Sequence, residues 1–201
     1  KIRKTLLLLV LAVVFSIVLA ACGNSSPSTE SSSAAGEEPG TAETNTNGGN
    51  ILIAYFSHTG NTEEVAGQIA DLTGGTLAEI QRAEEYGDLQ EEAEAEILEG
   101  VHPEITVSVD NVEDYDTIFV GYPIWWGIAA WPVDSFVEAN DFTGKTVIPF
   151  CTSASSALGQ SGETLAQLAG TGDWQEGQRF GSSAARSDVA DWLTGPGFPV
   201  R

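Results

Sequence analysis

The sequence predicts an α/β fold: an open, doubly wound five-stranded parallel sheet of order 2-1-3-4-5, covered by helices on both faces in three layers. Three observations carry this expectation. Unbroken apolar runs of strand length recur, as strands buried on both faces require. Amphipathic segments of helical period separate them. Loops of small polar and aromatic residues follow the strands, which places a ligand beyond the strands' carboxyl ends, at the switch point past strands one and three.

The elements follow in order. Ile51 to Phe56 is a central strand and Glu63 to Leu72 a helix that turns Val65, Ala66, Ile69 and Leu72 inward. Thr76 to Ile80 gives a second strand and Gln90 to Glu99 an acidic helix with a solvated surface. Asp116 to Tyr122 is the third strand, Pro132 opens a helix carrying Val133, Phe136 and Val137, and Lys145 to Cys151 is the fourth strand. Leu158 to Ala169 is helical, Gln178 to Phe180 is a last short strand, and Ser187 to Leu193 closes the chain with Trp192 inward.

A chain of 201 residues leaves room for one domain of roughly 150 residues and extra segments. Lys1, Arg3 and Lys4 precede an apolar run from Thr5 to Ala21, the arrangement of a secretory signal. The run ends in Leu19-Ala20-Ala21-Cys22, which resembles a bacterial lipobox. That resemblance implies a lipoprotein: residues 1–21 are a signal peptide, Cys22 carries the lipid, and the domain is held on the extracytoplasmic face of the cytoplasmic membrane. Acyl chains contribute about 0.8 kcal/mol per buried methylene, so such an anchor needs no spanning helix. Residues 22–49, rich in Ser, Thr, Glu and Gly and without an aromatic residue, read as a disordered tether with a reach of roughly 30 Å. The folded domain is then 50–201. Cys151 is left without a partner for an internal disulfide and reads as packing.

With 29 acidic residues against 8 basic ones and a net charge of −21, the chain lacks the basic footprint of a nucleic-acid binder. His102, before Pro103, reads as a solvent-facing loop residue. No metal-ligating set and no catalytic constellation stands out.

The first strand is followed by Ser57-His58-Thr59-Gly60-Asn61-Thr62 and then a helix. Free backbone N–H groups and the positive end of the helix dipole converge there, with hydroxyls and an amide as further donors, so the loop suits an anion. It has neither the Gly-Lys-Ser/Thr of a P-loop nor GxGxxG, which points to a phosphate monoester bound without metal. YFSHTGNT resembles the FMN-phosphate loop of flavodoxins. The resemblance implies that Ser57, Thr59, Asn61 and Thr62 hold the phosphate through their side chains, helped by the N–H groups from His58 to Thr62, Gly60 included.

Two later segments extend it. Pro123-Ile124-Trp125-Trp126-Gly127 resembles the second flavin-contacting loop, which implies an aromatic residue stacked on the ring, Trp126 by its place before Gly127. The peptide from Gly127 to Ile128 would meet flavin N5. FCTSASSALG resembles the third loop, with Ala154 and Ala157 where Gly is usual, and implies that Thr152, Ser153 and Ala154 lie at the ring edge. The cofactor implied is FMN. The function expected is electron transfer to or from a redox partner protein or membrane quinone, the acidic surface steering toward basic docking patches. The alternatives are an FMN-dependent NAD(P)H reductase of quinones or similar acceptors, and a degenerate flavodoxin fold acting as a non-catalytic binding module.

Overall fold

A computed structural model describes residues 50–198 and Val200. The residues expected to form a signal and a tether, Cys22 among them, lie outside the described residues. The elements run β1 (Ile51–Tyr55), α1 (Asn61–Thr73), β2 (Thr76–Arg82), α2 (Leu89–Glu99), β3 (Ile105–Val107), β4 (Thr117–Trp125), β5 (Ile128–Ala129), α3 (Trp131–Ala139), β6 (Thr146–Thr152), α4 (Ser161–Ala169), β7 (Asp173–Trp174), β8 (Gln178–Phe180) and α5 (Arg186–Thr194).

The alternating side chains of β1 decide the layers. Ile51, Ile53 and Tyr55 turn to one face and pack with Val65, Ile69 and Leu72 of α1 and Val189 and Leu193 of α5. Leu52 and Ala54 turn to the other, under Val133, Phe136 and Val137 of α3 and Leu165 of α4. Each fully buried aliphatic or aromatic side chain contributes roughly 1.5–3 kcal/mol, so the sheet is held from both sides and must be apolar on both. Packing within it is tight where β4 meets β6. A Cβ at Gly121 would stand 2.2 Å from the ring of Phe150, so only glycine fits there.

The parallel core runs β2-β1-β4-β6, with β7 and β8 both pairing β6 in parallel. This is the expected 2-1-3-4-5 order, with the sheet mostly rather than wholly parallel. The fifth strand is split, because Pro149 of β6 has no N–H to give on that side, and the break between Trp174 and Gln178 falls opposite it. Two antiparallel additions bring the sheet to eight strands. β3 pairs the outer edge of β2, and β5 folds back on β4. The first is three residues long and follows Pro103, and the second is two residues long, too short for periodicity to announce either.

Polarity along the sheet matters for function. Asn50 closes the amino end of β1, its carbonyl accepting from the N–H groups of Asp116 and Thr117 at 3.0 and 3.2 Å. The loops that carry the flavodoxin resemblance all leave the carboxyl ends of β1, β4 and β6.

Candidate functional site

At that carboxyl edge α1 begins without a side-chain cap. Gly60, at φ 84, occupies the N-cap position, and its N–H is taken by Ser57 Oγ at 3.1 Å. The left-handed backbone suits glycine alone and turns the loop so that the first-turn N–H groups are left unclaimed by any cap. Asn61 Nδ2 donates to Thr59 Oγ1 at 3.0 Å, fixing both side chains in one orientation. Thr62 is buried, and its hydroxyl meets that of Thr152, at the end of β6, at 2.8 Å. One of the two donates to the other, which leaves one hydroxyl proton for another acceptor.

The second loop is a two-residue hairpin joining β4 to β5, with Trp125 opposite Ile128. Trp126 and Gly127 form its turn at φ 46 and 87, the pair of positive φ angles that a type I′ turn requires. The indole of Trp125 is packed edge-on against Phe56, Tyr86 and His58, with centroids 5.4, 5.7 and 6.1 Å apart. Tyr86 is held in turn: its hydroxyl donates to Glu96 Oε2 at 2.8 Å and the guanidinium of Arg82 lies 4.4 Å from its ring. Burial, and then the bond to Glu96, push its phenol far above the ordinary value, so it stays neutral.

The third loop is pinned from behind. Arg179 of β8 donates to the Ser153 carbonyl at 2.6 Å and to its Oγ at 3.3 Å, and Ser153 Oγ also donates to the carbonyl of Ser156. Among the described residues Trp126 is the only non-glycine at positive φ, so Ala154 and Ala157 stand in ordinary backbone conformations. Alanine in place of glycine costs the loop no strain.

These loops enclose a cleft of about 180 Å³. Ser57, His58, Thr59, Asn61 and Thr62 form one wall, Pro123, Ile124 and Trp125 a second, and Thr152, Ser153 and Ala154 a third. Gly60, Trp126 and Gly127 are not on these walls, and Trp126 is 53% exposed at the hairpin tip. Of the two hairpin tryptophans it is therefore Trp125 that lines the cleft, because the turn carries the following residue outward. Leu89 and Ser182 complete the lining. Ser182 follows β8, another strand end, so the strand-end rule that picked the other loops points to it too; Leu89 and the supporting Tyr86 and Arg179 left no such signal. Not one of the lining residues is acidic, in a chain with 29 carboxylates.

Two single residues are settled by their surroundings. Cys151 is fully buried and burial pushes its thiol up to about 12, the chemistry of packing rather than of a nucleophile. His102 is not solvent-facing: its Nδ1 lies 2.6 Å from Glu138 Oε2 and its ring sits edge-on to Trp131 with centroids 4.7 Å apart. The chain turns at Pro103, whose carbonyl accepts from Ser135 Oγ at 2.7 Å, and this folds the histidine onto α3.

The sequence profile of the family described as Flavodoxin matches residues 50–195. The chain belongs to the flavodoxin family. It is similar to a candidate flavoprotein from Bacteroides uniformis ATCC 8492, at 35% identity and a TM-score of 0.67, covering 73% of this chain and 99% of that one. A candidate flavoprotein from Bacteroides eggerthii DSM 20697 is 32% identical with a TM-score of 0.67, over 73% of this chain and 97% of its own. A flavoprotein from Lactobacillus acidophilus NCFM, solved in complex with FMN, shares the fold at 22% identity and a TM-score of 0.58, over 72% and 99% of the two chains. No curated protein matches the chain significantly. For this flavodoxin, the carboxylate-free, donor-rich first wall fits a phosphate, and the indole of Trp125 lines the cleft beside it.

Proposed function

We propose that this flavodoxin holds one FMN in the cleft and serves as an electron carrier, fixed through Cys22 to the outer face of a cytoplasmic membrane. The observation that carries the reading is the cleft's composition: hydroxyls, an amide and an uncapped helix start on one wall, an indole on another, and no carboxylate on any. A phosphate dianion is tolerated in a strongly acidic chain only where the acidic groups are kept away and backbone donors face it.

In this reading the first-turn N–H groups of α1 and the hydroxyls of Ser57 and Thr59 hold the phosphate. Trp125, braced by Tyr86, Phe56 and His58, keeps water from one side of the ring. The Thr62–Thr152 hydroxyl pair and Ser153, locked by Arg179, offer polar atoms to its edge. Bound FMN supplies reversible uptake of electrons. A net charge of −21 steers the carrier toward a basic surface on a redox partner protein, or holds it beside a membrane quinone. The lipid anchor rests on the signal and Leu19-Ala20-Ala21-Cys22 alone.

The deciding experiment takes the full chain in detergent, incubates it with FMN, desalts it and follows its absorption through stepwise anaerobic reduction. A retained flavin band with a distinct one-electron spectrum along the way is expected. Loss of the flavin on desalting overturns the reading, and direct oxidation of NADH or NADPH by the loaded chain turns it into a reductase. Incorporation of radiolabelled palmitate, abolished by Cys22→Ser, tests the anchor.

A further inference from the structure

A second cleft, about 650 Å³ in volume, lies along α3 and α4. That is within the range of small-molecule sites, roughly 300–1,000 Å³. Trp131, Ile128, Leu165 and Leu168 give it apolar walls, and Gln160, Thr164 and Gln167 give it polar ones. Neither lysine nor arginine is among the residues lining it.

Its ionisable side chains are Asp134, on α3, and His102. Asp134 is only 9% exposed and lines the cleft, and its one close side-chain partner among the described residues is His102, in ion-pair rather than hydrogen-bond contact. His102 Nε2 stands 3.7 Å from Asp134 Oδ2, while the other ring nitrogen is engaged with Glu138. A carboxylate this far buried loses most of its solvation, and a single partner at 3.7 Å replaces only part of it. Burial accordingly pushes the Asp134 carboxyl up to about 7, with His102 pulling it back and Glu138 adding to the rise. The groups that face it are His102 from the segment before β3, Glu138 from its own helix and the hydroxyl of Tyr122 from β4; α4 brings no ionisable side chain to the wall.

We propose that this cleft binds a small organic cation, an ammonium group on an apolar or aromatic body, with the ammonium seated on Asp134. The ammonium supplies the close N–H donors that His102, at 3.7 Å, does not, and the body covers Trp131, Leu165 and Leu168. An inorganic ion leaves those walls bare, and an anion meets a carboxylate with no lysine or arginine beside it. The chain's own negative field concentrates cations around it. The site is a different cleft from the first and shares with it the β4–β5 hairpin, whose Gly127 and Ile128 line the second cleft and whose Ile124 and Trp125 line the first.

The test is isothermal titration of the FMN-loaded full chain with phenethylammonium, and with phenethyl alcohol and phenylacetate as neutral and anionic counterparts of the same body. The amine is expected to bind, the alcohol roughly tenfold more weakly or worse, and phenylacetate not at all. Asp134→Asn is expected to weaken the amine by roughly tenfold or more. Thr164→Lys, at an exposed position of α4, places a competing cation in the cleft and is expected to weaken it as well. Affinity for the amine should rise from about pH 6 to about pH 8 as Asp134 ionises. Absence of binding up to about 10 mM amine, equal binding of amine and alcohol, or an unchanged affinity in Asp134→Asn each overturns the proposal. Should Asp134→Asn fail to fold, Thr164→Lys decides alone, and an undiminished affinity there overturns it equally.

Discussion

The side-chain hydroxyls of Thr62 and Thr152 meet at 2.8 Å across 90 positions of sequence, and this buried contact ties the helix that follows β1 to the end of β6. Replacing one partner strands the other. Thr152→Val is expected to cost about 1–3 kcal/mol, because the Thr62 hydroxyl is left buried without a partner. The double variant Thr62→Val/Thr152→Val is expected to be less destabilised than the sum of the single changes. Urea unfolding of all four forms reads the coupling, and strict additivity would deny it.

The two tryptophans of the hairpin should separate cleanly. Trp125 lines the cleft, whereas Trp126 is 53% exposed outside it. Trp125→Leu is expected to weaken FMN binding by about 1–2 kcal/mol, roughly tenfold in Kd, and Trp126→Leu by much less. Quenching of flavin fluorescence on titration measures both, and the reverse ranking would return the stacking role to Trp126.

Gly127 sits at φ 87 with nothing within 4 Å of the place a Cβ would take. The cost of Gly127→Ala is therefore conformational, about 1–2 kcal/mol, with no steric share. A thermal melt of the variant checks it, and an unchanged midpoint would mean that the turn rearranges freely.

Asp134 makes stability depend on pH in a direction opposite to that of most carboxylates. Its pKa is about 7 in the fold against an ordinary 3.8, chiefly through burial. Between those values the folded chain keeps a proton that the unfolded chain has released. Its contribution is thus full below the lower value, falls as pH rises, by at most about 1.4 kcal/mol per unit, and levels off above the upper one. Asp134→Asn removes that slope, so the difference in unfolding free energy between wild type and variant should grow across this window in the variant's favour. A difference that does not change with pH would show the group to be unshifted.

Much of this architecture was legible because burial on both faces writes itself as apolar runs: β1, β4 and β6 are unbroken from Ile51, Ile118 and Val147 onward. What escaped was short or depended on partners distant in sequence. β3 and β5 take their strand character from a neighbour's edge, and the fifth strand is split by Pro149 of another strand. In the site, the three loops were legible as residue types in sequence. That Trp125 and not Trp126 lines the cleft was not, since it follows from a turn whose two positive φ angles only the paired strands reveal. Neither was the placing of His102, which is decided by Glu138 and Trp131, 36 and 29 positions away.

The direction of β1 has a practical consequence. Asn50 lies at one end of this strand and Ser57 at the other, so whatever precedes the domain joins it about 16 Å or more from the cleft, at the opposite pole of the sheet. Immobilising the protein on an electrode or a bead through a handle ahead of Asn50 should leave the cleft facing solution, and its accessibility to a soluble reductant should not depend on how short that handle is made.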